Sequence, residues 1–322
     1  MKLSIVIPVY NTEKYLEKCL ASCVNQEVER ADYEIVVVDD GTKDNAMEIA
    51  RRFQDNYSNI KIYSQANAGL SAARNMGLSH CSGDYVWFVD SDDYIDKESL
   101  SLILNKIEEN PDIICIQAKR SDEATPRNRF SDNVQNGYDV LLHSFDNWDR
   151  CVPYFIFNRQ FIDNHNLRFY VGIFHEDDEF TPRALVFAEK VCVIDRPLYY
   201  YWVKAENTIT KTVNPKKSYD NIIVAESLSN FKENNPMPAN VKQVFENHIS
   251  LIINNTLDNI NQSDKQTAKD FNKFLRTKKN LFSSLRKSNK MKYKLEYLLF
   301  SVFCNYVGVY NFIQNFNRRL YV

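Results

Sequence analysis

Through the first 120 positions the chain alternates between two hydrophobic rhythms. Short unbroken apolar runs rich in β-branched residues predict buried strands: "LSIVIPVY" (3–10), "YEIVVVDDG" (33–41), "IKIYSQ" (60–65) and "DYVWFVD" (84–90). Between them, apolar residues recur every three or four positions and predict helices: 12–26, 44–57, 69–81 and then 99–110, with Asn11 or Thr12 placed to cap the first. "DIICIQAKR" (112–120) continues the series. Strands that lack in–out alternation and are separated by helices belong to a mostly parallel sheet covered on both faces. The expected class is therefore α/β, a Rossmann-like sheet flanked by helices.

Beyond position 120 the rhythm changes. Residues 121–150 are polar, with Pro126 and Gly137, and predict a loop and a short helix; 151–203 predict mixed short elements. Residues 216–260 and 265–316 predict helices. The expected organisation is a catalytic domain over 1–210, with a nucleotide-binding half (1–95) and an acceptor-side half (96–210), followed by a helical C-terminal region over 211–322. The chain has only seven glycines, and four of them (Gly41, Gly69, Gly77, Gly83) fall in the front α/β unit, three at strand–helix junctions.

In open parallel sheets ligands sit beyond the C-terminal strand ends. Here those ends read "PVYN" (8–11), "DDGTKD" (39–44), "NAGLSAARN" (67–75) and "DSDD" (90–93). They would gather many carboxylates, one arginine and several helix-start N–H groups on one rim. Three carboxylates within "DSDD" repel one another and lose water if recessed, so a positive charge is expected among them.

These four motifs, in this order, resemble family 2 glycosyltransferases of the bacterial surface-polysaccharide type, which have the GT-A fold and invert at the transferred carbon. The resemblance covers roughly the first 205 residues and implies the following roles. Pro8, Val9, Tyr10 and Asn11 line the nucleotide site. Asp40 accepts the N3–H of a uracil ring, the alternative being a helix cap, which is the expectation for Asp44. Asp90 and Ser91 face ribose or sugar, and Asp92 binds a Mn²⁺ or Mg²⁺ ion that bridges the diphosphate. Asp93 is either a second ligand or a cap. Arg74 contacts nucleotide or diphosphate, the alternative being an ion pair with the strand-end acids. In "GIFHEDDEFTPRAL" (172–185), Glu176 and Asp177 match the family's acidic pair, with Asp177 the general base; Asp178 and Glu179 suit a helix first turn, and His175 is a structural or acceptor-side residue. In "RPLYYYWVKAENTIT" (196–210) relatives carry an arginine after the tyrosines; here Trp202 follows Tyr201, Lys204 is the nearest cation and a candidate diphosphate contact, and Thr208 stands near a serine position.

Composition trims the alternatives. Net charge is −2, which gives no case for nucleic acid. Seven cysteines without a CxxC pair suggest free thiols in a reducing compartment. The N-terminal run is short and lacks a cleavage-site pattern, so a strand is expected there, and no apolar stretch reaches the ~18 residues of a membrane span. The charge is uneven: from Lys265 onward, lysines and arginines face only Asp270 and Glu296. The aromatic, basic tail over 291–322 suits an interfacial helix on an anionic leaflet, a helix packed on the protein, or a homodimer contact.

The expectation is a cytoplasmic, metal-dependent enzyme, peripheral at the inner membrane face, moving sugar from a UDP-linked donor to a hydroxyl of a glycan or lipid-linked acceptor. A nucleotidyltransferase would need a glycine-rich phosphate loop after the first strand, and "PVYNTEKY" has no glycine. No GxGxxG follows it either, which discounts a nicotinamide site. The remaining alternative is a catalytically inactive glycan-binding or membrane scaffold of the same fold.

Overall fold

A computed structural model of the chain describes residues 1–123, 125–126, 130, 133–143, 150–202, 214–302 and 306–310. It divides into two compact units, Met1–Gly172 with Glu176–Lys211, and Ile173–His175 with Thr212–Val322. Lys204 and Thr208 lie outside the described residues, as does the tail over 311–322.

The first unit is built on an eight-stranded sheet. Its front half runs β1 (Leu3–Val9), α1 (Glu13–Val24), β2 (Tyr33–Asp39), α2 (Ala46–Asn56), β3 (Ile60–Ser64), α3 (Leu70–His80) and β4 (Tyr85–Phe88). The helix-period and strand-period runs of the sequence land on these elements with ends trimmed by a few residues. β1 pairs parallel with β2 on one side and β4 on the other, and β2 pairs parallel with β3. β1 and β4 are buried along their whole length, as strands covered on both faces must be. Gly77 lets α3 lie directly on this sheet: a Cβ there would meet a Val6 methyl at 2.3 Å.

The back half continues with β5 (Tyr94–Ile95), α4 (Ser99–Ile107), β6 (Ile113–Arg120), α5 (Gly137–His143), β7 (Phe155–Asn158), α6 (Arg159–Asn164), α7 (Glu176–Phe187) and β8 (Val191–Tyr201). The strand order is β3-β2-β1-β4-β7-β6-β8-β5. β7 runs antiparallel to both neighbours, and β5 is antiparallel to β8. The sheet is therefore mixed, parallel at its front and interrupted at β7. β5 and β8 matter for the site because they tie the segment after "DSDD" to the last strand of the unit.

The second unit is helical: α8 (Pro215–Asn234), α9 (Ala239–Asn261), α10 (Lys265–Thr277), α11 (Ser283–Lys287) and α12 (Met291–Val302). Asn214 caps α8 and Asp264 caps α10 through their side chains. α12 is tied to α9 by Asn254, which donates to Glu296 at 2.8 Å and accepts from Lys292 at 3.0 Å. Among the described residues no helix is long and apolar enough to cross a membrane.

One buried charge fixes the end of the sheet remote from the strand-end rim. Glu34, on β2, accepts from the Ser4 hydroxyl, from the Ser82 N–H and hydroxyl, and pairs with Lys61 at 2.7 Å. Burial works to raise its pKa, but Lys61, Ser4 and Ser82 bring it down to about 2. A depressed carboxyl pKa gives stability that is present above the unfolded value and lost as pH falls through the folded one. Glu34→Gln should lower stability by about 2 kcal/mol near neutral pH. Urea midpoints of the two proteins should converge as the pH approaches 2; a constant gap would show that the charge is not what Glu34 supplies.

Candidate active site

The C-terminal end of β4 and the start of α7 bring acidic side chains around one arginine. Arg74, on the second turn of α3, is 1% exposed. Its Nη2 donates to Asp90 Oδ1 at 2.9 Å; its Nη1 donates to Glu176 Oε1 at 2.9 Å and to Asp177 Oδ1 at 2.8 Å. Three carboxylates thus share one buried guanidinium. Burial alone would lower the arginine's pKa; the fields of Asp177, Asp90 and Glu176 raise it instead, so the group stays charged. This is the ion-pair arrangement that the sequence offered as the alternative to a diphosphate contact. Both terminal nitrogens are already committed to carboxylates.

Asp177 sits at the N-terminus of α7, after His175, whose φ is +63°. Its second oxygen accepts from the Val152 N–H at 3.3 Å. Burial pushes its carboxyl up to about 8; Arg74 opposes the rise and Glu176 and Asp90 add to it. The neighbouring acids have separate duties: Asp178 pairs with Arg150 at 2.7 Å and Glu179 with Arg183 at 2.6 Å. The first turn of α7 therefore sorts its four acids between Arg74 and two structural arginines.

The "DSDD" turn is equally differentiated. Ser91 and Asp93 are buried, while Asp90 and Asp92 are half-buried. Both oxygens of Asp93 are used: one accepts from the Tyr199 hydroxyl, the other from the Trp202 N–H at 2.8 Å. Asp93 therefore ties the turn to the end of β8, and sequence alone left it as a ligand or a cap. Trp202 is further held by Lys18, whose ammonium lies 3.6 Å from the indole centroid and 3.5 Å from that of Tyr94. Asp92 is different: among the described residues no lysine or arginine pairs with it, and burial together with Asp90 raises its carboxyl pKa to about 6. A recessed carboxylate held against a like charge suits a hard divalent cation, which takes one or two protein oxygens plus phosphate and water. No group of three or more His, Cys, Asp or Glu is gathered for a metal among the described residues, so Asp92 would hold the ion only together with ligand oxygens.

The nucleotide side of the rim is a tight network. Asp40 is 3% exposed and accepts four hydrogen bonds: from Gln65 at 2.7 Å, Ala68 N–H at 2.9 Å, Gly69 N–H at 2.9 Å and the Asn67 amide at 3.2 Å. A carboxylate has about four acceptor positions, so Asp40 is saturated by the β3–α3 loop. A uracil N–H can reach it only by displacing one of these donors. None of these donors was singled out from the sequence, because a loop amide carries no pattern until its partner is known.

Pro8 and Val9 are buried strand residues, and the Val9 carbonyl is occupied by the Asp40 N–H. Tyr10, 42% exposed, is the first member of "PVYN" whose side chain reaches the rim surface. Asn11 follows at φ +54° and links the first two turns: its N–H donates to Thr42 Oγ1 and its own Oδ1 accepts from the Lys43 N–H. Asp44 and Glu13 cross-cap one another's helices: Glu13 N–H donates to Asp44 at 2.8 Å and Asn45 N–H to Glu13 at 3.1 Å.

Residues 4–175 match the model of Glycosyl transferase family 2. The chain belongs to that family. Its relatives include a poly(ribitol-phosphate) β-glucosyltransferase of Bacillus spizizenii, 32% identical over 72% of this chain and 38% of that protein. The uncharacterized glycosyltransferase EpsJ of Bacillus subtilis is 33% identical over 67% of this chain and 64% of its own. The chain therefore spans less than two thirds of the length of these relatives. Among solved structures, Staphylococcus aureus TarS 1–349 in complex with UDP-GlcNAc superposes with a TM-score of 0.66 at 24% identity, covering 84% of this chain and 83% of that one. The mannosyltransferase PcManGT from Pyrobaculum calidifontis, in complex with GDP-Man and Mn²⁺, gives 0.57 at 13% identity over 98% of this chain and 87% of that one. The fold of this family member is GT-A with a helical C-terminal region.

The two candidate duties of Asp93 can be separated by substitution. Asp93→Ala should weaken Mn²⁺-dependent nucleotide affinity about 10–100-fold, as loss of a group that orients a ligand does. Asp93→Asn should restore most of it, because an amide can still accept from the Trp202 N–H and meet the Tyr199 hydroxyl. Calorimetry on both variants checks this, and an Asn variant as weak as the Ala variant would make Asp93 a direct ligand.

Proposed function

We propose that the protein is a metal-dependent, inverting glycosyltransferase that moves a sugar from a UDP-linked donor to a hydroxyl of a glycan or lipid-linked glycan, in bacterial surface-polysaccharide synthesis at the cytoplasmic membrane face. The observation that carries it is the Arg74 cluster, which holds the proposed base, Asp177, in one buried network with Asp90, two positions from Asp92. Family membership supports sugar transfer. The poly(ribitol-phosphate) in the name of the B. spizizenii relative supports a polymer acceptor, and the UDP-GlcNAc bound by TarS supports a uridine donor.

Each residue then has a stated duty. Tyr10 stacks on the base, and the Asp40 loop reads its edge. Asp90, oriented by Arg74, faces the ribose or the sugar. Asp92 would hold the divalent ion, which when bound supplies charge to neutralise the leaving diphosphate. Arg74 does not touch the donor; it sets Asp90, Glu176 and Asp177 and keeps three carboxylates from repelling one another apart. Lys204 remains assigned to the diphosphate from sequence.

Asp177 takes the proton of the attacking hydroxyl as the new bond forms. Its raised pKa makes it a stronger base than an ordinary carboxylate and brings it closer to the alcohol it must deprotonate. The same shift sets a pH dependence. Below about 8 the carboxyl is protonated in an increasing share of molecules, so kcat/KM should fall about tenfold per pH unit on the acid side and level off above pH 8. A profile flat down to pH 5 would remove Asp177 as the base.

Two substitutions test the site as a whole, with UDP release from UDP-sugars in the presence of Mn²⁺ as the assay. Asp177→Asn should bind donor normally while transfer falls by about 10²–10⁴-fold. Asp92→Asn should abolish metal-dependent UDP binding in calorimetry. Near-normal turnover in the first would move the base to another residue, and unchanged UDP binding in the second would remove the metal assignment.

A further inference from the structure

α12 packs one face inward and, among the described residues, leaves an apolar stripe on the opposite face uncovered. Tyr293, Glu296 and Phe300 point inward at 5%, 0% and 3% exposure. Met291, Leu295 and Leu298, spaced i, i+4 and i+7, stand outward at 76%, 51% and 60%. Apolar residues at that spacing form one continuous stripe along a helix, and a stripe open to water marks a contact surface. Isolated exposed leucines need no explanation; three in one line on a single helix do.

The charge around the stripe identifies what it meets. Lys292 and Lys294 flank it on either side of the helix, and Arg286, Lys287 and Lys290 precede it. From 271 to 310 the sequence holds nine lysines and arginines and a single acid, Glu296. That acid is fully buried; acids outside this stretch pair with three of the nine cations, Asp270 with Lys273, Glu226 with Lys278, and Glu233 and Glu246 with Lys287. A nucleic acid would match the cations but has no use for the leucines. A second copy of this chain would match the leucines but would bring two basic rims face to face, and like charges would repel. A bilayer surface rich in acidic lipids matches both features. Apolar side chains enter the boundary between headgroups and acyl chains while lysines remain at the phosphates.

We propose that the outer face of α12 is a docking surface for an anionic membrane, with Met291, Leu295 and Leu298 inserting and the flanking cations meeting acidic headgroups. This assignment stands on the second unit alone and does not depend on the transfer chemistry assigned to the first. It does give that unit a means of staying on the surface where a lipid-linked acceptor would be presented.

Co-flotation of the full-length protein with phosphatidylcholine vesicles, with and without phosphatidylglycerol, tests it. The protein should float with the acidic vesicles and weakly or not at all with phosphatidylcholine alone. The double variant Leu295→Asp/Leu298→Asp should lose at least about tenfold in partitioning, and Lys290→Gln/Lys294→Gln should lose a comparable amount that added salt reproduces in the natural protein. All four positions are at or near the surface, and circular dichroism with a thermal melt verifies that the variants fold. Absence of flotation, equal flotation with both vesicle types, or undiminished binding by the leucine variant would each overturn the assignment. Size-exclusion chromatography covers the rival occupant: a leucine variant that elutes as a smaller species, with no vesicle binding by the natural protein, would make the stripe a contact between copies.

Discussion

One buried guanidinium organises this protein's acidic rim. Arg74 is drawn into the interior by α3, and a lone charge there would be strongly disfavoured by lost hydration. Three carboxylates from two distant stretches of chain compensate it, at separations of 16, 102 and 103 residues. The pairing works in both directions. Without Arg74, Asp90, Glu176 and Asp177 would lie close together with no opposite charge among them, and the carboxyl of Asp177, whose rise Arg74 opposes, would be pushed higher still. The arginine thus fixes the end of β4 and the start of α7 in one geometry.

The cluster is deliberately short of positive charge. One guanidinium balances one of its three carboxylates, and Asp92, two positions from Asp90, has no basic side chain of its own among the described residues. Under the proposed function, that deficit is what a metal–diphosphate would meet; burial first, and neighbouring carboxylates second, raise the pKa values of Asp92 and Asp177. The network around Asp40 is the reverse case. There every acceptor position is already filled by the 65–69 loop, so the Asp40 turn is a preformed frame.

Much of this was legible from local pattern. The β1 to β4 strands and their helices follow from apolar runs and from three- and four-residue spacing, which need no knowledge of the partner elements. β7, four residues long and antiparallel, could not be read, because "FIFN" differs little from any short buried run and its direction is decided by the strands it joins. The same limit governs the site. The clusters that hold Asp90, Asp92, Glu176 and Asp177 are visible in one dimension, but their individual roles were named only through the resemblance to family 2 glycosyltransferases. The duty of Arg74 was weighted toward the diphosphate because its three partners become neighbours only after folding. Asp93 is a similar case: its two partners, Tyr199 and Trp202, lie more than a hundred positions away. The tail gave three alternatives from composition; its inward and outward faces separated only once α12 had been placed against α9.

A crystal structure with UDP and Mn²⁺ bound would test the central claim most directly. The account predicts Arg74 still bonded to Asp90, Glu176 and Asp177, with the ion between Asp92 and the diphosphate oxygens. A guanidinium turned onto the phosphates, with its three carboxylates dispersed, would contradict it.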